Sequence, residues 1–148
     1  MDTAITDPRE ILSTRHFSQP REALYAAFAD PQRLARWWGP AGFRNSFDVF
    51  EFRPGGQWHF TMHGPDGKDY PNRSVFHAVE APGRIVLEHL NAPHFHMTIT
   101  LSPQGGGTQL SWRMRFDDAA TRDAVAGIAI PANEENFDRL QAELALQP

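Results

Sequence analysis

The chain has 148 residues, 41% of them hydrophobic, 11% aromatic and 22% charged, with a formal net charge of −4. A chain of this size and make-up can bury a core without staples and reads as one domain over 1–148. Its lack of cysteine excludes disulfides and thiolate metal sites, and an acidic balance without a basic block speaks against a dedicated nucleic-acid binder. No apolar run reaches the ~20 residues of a membrane helix, and the opening MDTAITDPRE has no signal pattern. Neither membrane insertion nor secretion is expected, and the cytoplasm is the expected location.

The first strand is expected over 9–17, REILSTRHF. SQPREALYAAF then has Ser18 as a cap and Pro20 in a first turn, with Leu24, Tyr25 and Phe28 on one helical face. Asp30 and Pro31 repeat the cap-and-proline pattern and open a short helix, PQRLARWW, which Gly39-Pro40 ends. Strands follow at SFDVFEF (46–52) and QWHFTMHG (57–64), joined by the turn RPGG. In the second of these, Trp58, Phe60 and Met62 alternate with His59, Thr61 and His63. PDGK (65–68) is a hairpin turn. SVFHAVEA (74–81), RIVLEHL (84–90), HFHMTITLSP (94–103) and TQLSWRMRF (108–116) complete the strands, the last two flanking Gly105-Gly106-Gly107. A short helix starts at DDAATRDAVAGIA, and Pro131 is expected to restart a longer one whose buried stripe is Ile130, Phe137, Leu140 and Leu144.

This order, one strand, two short helices, six strands and a terminal helix, makes an α+β protein. Six antiparallel strands with one apolar face each must bury that face, and the terminal helix is the only large element left to cover it. A sheet curved around one helix leaves a cavity where the fit is incomplete, and the short helices would close one end of it.

REALYAAFADPQRLARWWGPAGF, FRPGGQWHFTMHGPDGKDYPN, APGRIVLEH, GGGTQLSWRMRF and ENFDRLQAEL, in this order and spacing, resemble one family across roughly residues 9–146. It is the family homologous to the activator of the heat-shock-protein ATPase, within the START-like, birch-allergen-like (SRPBCC) superfamily of helix-grip folds. The resemblance implies a curved antiparallel sheet wrapped around a long C-terminal helix. It also implies an apolar cavity for lipids, polyketides or other hydrophobic molecules, in proteins that are variously carriers, cyclases and hydrolases. Domains of this kind often pair, which puts a homodimer among the expected assemblies, although no stretch of sequence marks an interface.

The resemblance places Trp37 and Trp38 on the mouth-side helix. Adjacent helical residues point about 100° apart, so one can anchor the core while the other faces the cavity entrance, or both can be packing anchors. The expected lining is Trp58, Phe60, Met62, His77, His89, Trp112, Met114 and Phe137, with Trp37 or Trp38 near the entrance. His77 shares a strand face with Val75 and Val79, and His89 shares one with Ile85 and Leu87, so both are expected inside. With Asn133, which falls on the helix stripe, they would orient a carbonyl or hydroxyl; each can equally be a satisfied core polar group.

Chemistry is sparse in the pattern. His94-x-His96 with His89 or His77 has ligating side chains but no carboxylate placed to complete a site, so no metal or other cofactor is expected. There is no G-x-S-x-G, and GGGT joins two strands and is no phosphate cradle. No catalytic residue is assigned. The first expectation is therefore a carrier or sensor of a hydrophobic small molecule. The alternatives are a cyclase- or hydrolase-type enzyme with His77 or His89 as base, and an interaction module for a chaperone ATPase, which rests on the family resemblance.

Overall fold

The computed structural model describes residues 7–146. Its elements are β1 (Glu10–Phe17), α1 (Arg21–Ala29), α2 (Pro31–Trp37), β2 (Arg44–Phe50), β3 (Gln57–His63), β4 (Asp69–Glu80), β5 (Arg84–His89), β6 (Phe95–Gln104), β7 (Gly107–Phe116) and α3 (Ala119–Ala145). The seven strands form one antiparallel sheet in the order β1-β7-β6-β5-β4-β3-β2. β1 and β2 are its two edges, and α1 and α2 bridge them. α3 packs against β1, β7 and both short helices, closing the core over the inner face of the curved sheet. This is the α+β helix-grip architecture expected from the sequence.

Local chemistry explains most of the element ends. Asp30 caps α2 by accepting from the Gln32 N–H, with Pro31 behind it. Gly39, at φ 97°, lets the chain leave α2 through a left-handed conformation. Gly105 and Gly106, at φ 57° and 82°, make the two-residue turn between β6 and β7, since both central positions need positive φ.

Four local expectations are corrected. α1 begins after Pro20 with no side-chain cap, so Ser18 does not cap it. β4 begins at Asp69 instead of 74, running through Pro71. From Asp69 to Arg73 it pairs with β3, and its pairing with β5 starts only at Ser74, so the missing Pro71 N–H breaks no ladder on that side. α3 is continuous through Pro131, whose neighbours on the exposed flank are not pinned against the sheet. Ile130 is 43% exposed and lies off the buried stripe, which is instead Asn133, Asn136, Phe137, Leu140, Glu143 and Leu144.

Candidate functional site

Between α3, the end of α2 and the inner face of the sheet lies a pocket of about 580 Å³. Its floor is apolar: Trp38, Phe60, Leu87, Met97, Trp112 and Met114 are all buried residues that line it. The rim is formed by Phe43, Tyr70, Pro71, Ala92 and Pro93 from the strand ends and loops, and by Ile128 from α3, which is 78% exposed. The polar residues of the lining are Asp69, Asn72, Ser74, His89, Asn91, Asn133 and Asn136.

The adjacent tryptophans divide their work. Trp37 is 1% exposed, and its indole N–H donates to the Ala27 carbonyl at 3.0 Å, tying α2 to α1. Its ring meets Phe28 edge-on at 4.9 Å. Trp38 turns the other way. Its ring lies between Trp58, at 4.9 Å, and Trp112, at 5.2 Å, and it lines the pocket. The indole N–H groups of Trp58 and Trp112 are buried without a partner among the described residues.

The chain around these tryptophans is held by side chains from elsewhere. The Arg139 guanidinium donates to five carbonyls, those of Arg36, Trp38, Gly39, Pro40 and Phe43, at 2.7 to 3.0 Å. Asn136 donates to the Trp37 carbonyl at 2.7 Å, and Asn45 donates to the carbonyls of Ala35 and Trp38. A helix end leaves such carbonyls unpaired, and a fixed cation there also meets the negative end of the helix dipole. Sequence reading missed Arg139: its neighbours in the sequence carry no sign of what it touches.

Of the residues expected to line the cavity, Trp38, Phe60, Met62, His89, Trp112, Met114 and Asn133 do so. Trp37, Trp58 and Phe137 are core residues behind that wall, each at most 1% exposed. His77 is a correction. A β-bulge between Phe76 and Ala78 breaks the alternation, so Phe76 faces the core and His77 is exposed on the outer face, hydrogen-bonded to Glu88 at 2.8 Å.

His89 remains as the pocket histidine, with an oxygen atom against each of its ring nitrogens. Its Nδ1 lies 2.8 Å from the Pro93 carbonyl and its Nε2 2.7 Å from the Asn72 side-chain oxygen. Burial pushes its pKa below the usual histidine value. The ring packs face to face on Phe95 at 4.7 Å. Both of its oxygen partners are acceptors, so the neutral ring donates to one of them while its other nitrogen keeps its lone pair, and no carboxylate among the described residues touches either nitrogen. It orients the wall.

The outer face holds a hydrogen-bonded line that no motif announced. Ser46 Oγ is 2.7 Å from His63 Nε2, and His63 Nδ1 is 2.8 Å from Asp69 Oδ1. The residue types are those of a nucleophile, a base and an orienting acid. Ser46 is exposed on edge strand β2, and neither it nor His63 lines the pocket, although Asp69 does.

No helix among the described residues is long and apolar enough to cross a membrane. Among solved structures, a Nitrosomonas europaea protein is similar at 19% identity with a TM-score of 0.88, covering 99% of this chain and 100% of its own. A Rhodobacter sphaeroides protein is 29% identical with a TM-score of 0.86, over 96% and 95% of the two chains. A Silicibacter pomeroyi protein described as AHSA1 is 24% identical with a TM-score of 0.77, over 93% and 98%. The first and third likenesses bear on the fold alone. Curated proteins give no significant match. The family model for Activator of Hsp90 ATPase homolog 1-like protein matches residues 18–145, and to that family the chain belongs.

Proposed function

We propose that the protein binds one hydrophobic small molecule, lipid-, polyketide- or aromatic-like, in the pocket under α3. The observation that carries this reading is the apolar floor built by Trp38, Phe60, Leu87, Met97, Trp112 and Met114 inside a space of about 580 Å³. Small-molecule sites commonly have volumes of about 300–1,000 Å³, with many apolar walls and a few polar groups. Met62, Met97 and Met114 give adaptable walls, which suits a family of related molecules better than one rigid shape. Asn133 is the polar group on the wall placed to meet a polar atom of the ligand. Membership of the family is consistent with this, since its superfamily carries such molecules.

Binding without catalysis is favoured because the only pocket histidine among the described residues, His89, has no carboxylate beside it to orient it as a base. The chaperone-ATPase reading rests on the family description and not on any feature of the pocket. The test is native mass spectrometry of the purified protein with extraction of what it carries, followed by titration of single-chain fatty acids and polycyclic aromatics against tryptophan fluorescence. Trp38 and Trp112 line the site, so occupancy should shift or quench the emission, and Trp38→Ala should weaken binding at least about tenfold. An unchanged spectrum with every probe, together with an empty extract, would sink the proposal. A stimulated chaperone ATPase would replace it.

A further inference from the structure

We infer that the outer face of the sheet carries a second site, for one divalent transition-metal ion, formed by His77, Glu88 and His96. The three residues come from adjacent strands β4, β5 and β6. Glu88 and His96 are direct partners across the β5–β6 ladder, and His77, two residues on from the Val75 that pairs with Glu88, lies on the same face. Their ligating atoms all lie within 4.8 Å of one another. His77 Nε2 is 2.8 Å and His96 Nε2 is 3.7 Å from Glu88 Oε1. Tetrahedral ligands at zinc distances of about 2.0–2.1 Å sit roughly 3.3 Å apart, and these two separations straddle that value. The His77 and His96 rings stack at 5.9 Å, so both edges address the same carboxylate oxygen.

The carboxylate is held from behind. His94 Nε2 is 2.6 Å from the second oxygen of Glu88, and His94 Nδ1 is 2.7 Å from Asp117. Occupying Oε2 in this way leaves Oε1 for the ion. His94 is thus a positioning residue, and Asp117 fixes its ring, the outer-shell arrangement that ordinarily orients a metal ligand. Two imidazoles and one carboxylate select zinc, nickel or copper over magnesium and calcium, which prefer all-oxygen sets. Three protein ligands leave a fourth position for water. Arg115, opposite His96 on β7, opposes a cation; the carboxylates of Glu88 and Asp117 offset it. The site lies on the face away from the pocket, so it stands or falls independently of small-molecule binding.

The test is calorimetric titration of tag-free full-length protein with Zn²⁺ and, separately, with Mg²⁺. One Zn²⁺ per chain is expected and no Mg²⁺ heat. His77→Ala, Glu88→Gln and His96→Ala should each weaken Zn²⁺ at least about tenfold, as should Asp117→Asn through His94. His16→Ala, on a histidine far along the sheet, should leave affinity unchanged. Histidine ring NMR signals provide a second readout that needs no variant: Zn²⁺ should move those of His77 and His96 and leave that of His16 in place. Absent heat, or variants that bind like the parent, or ring shifts spread over all histidines, overturns the site.

Discussion

Two neighbouring tryptophans make opposite predictions. Trp37 fills a closed space and satisfies the Ala27 carbonyl, so Trp37→Ala should cost about 3–5 kcal/mol in denaturant unfolding. Trp38 borders empty volume. Its replacement by Ala should cost less stability and instead enlarge the pocket, which ligand titration reads directly. Arg139→Met retains much of the side-chain length but removes all of the guanidinium's hydrogen bonds to the five carbonyls at and after the end of α2, of which those of Trp38 and Pro40 keep another donor. A loss of about 3 kcal/mol is expected, at the upper end for an abandoned buried partner, with amide exchange accelerated across residues 36–43. If that exchange is unchanged, Arg139 does not hold the segment.

At the scale of elements, α2 is bound to α3 through Glu143. This buried carboxylate accepts from Arg36 at 2.7 Å and from Arg33 at 3.1 Å. The hydrogen bond from Arg36, followed by that from Arg33, holds its pKa below the ordinary 4.5. A depressed carboxylate contributes stability that is fully present above its unfolded pKa and is lost as pH falls through the folded one. Urea midpoints should therefore drop as pH is lowered below about 4.5, and Glu143→Gln should flatten that drop. Arg36 is half exposed, so salt should weaken its share more than that of Arg33. The first half of α3 answers to different physics. A Cβ at Gly127 meets nothing within 4 Å, so Gly127→Ala should raise stability by about 0.5–1 kcal/mol through helix propensity and a less entropic unfolded chain. A destabilised variant would mean that this half of α3 needs the glycine for something other than packing.

For the whole molecule, strand number, helix order and the inward face of β3 were legible because period-2 and helical patterns are local. The alternation of Trp58, Phe60 and Met62 survives intact in the sheet. His77 was misplaced because one extra residue in a strand inverts every side chain around it, and a bulge leaves no mark in composition. The outer-face cluster was half visible. His94 and His96 stood out, but Glu88 joins them only through the register of β5 against β6, which no spacing along the chain encodes. The same holds for Arg139, which meets carbonyls about 100 residues back along the chain, and for Ser46, which meets His63 only through the register of β2 against β3.

The hydrogen bonds of Arg139 bear on how a ligand gets in. A single guanidinium grips the segment after α2 while Glu143 grips α2 itself, and both belong to α3. Those three pieces therefore form one stiff wall of the pocket. The two halves of the opposite rim, Tyr70 to Asn72 and Asn91 to Pro93, are joined by the side-chain bonds of Asn91 to Pro71 and Arg73 and of His89 to Asn72 and Pro93. Traffic through the pocket should accordingly pass over the strand-end rim, as through a door whose hinge is Asn91 and whose frame is α3. Asn91→Ala should then raise ligand on- and off-rates together and leave the equilibrium affinity nearly unchanged.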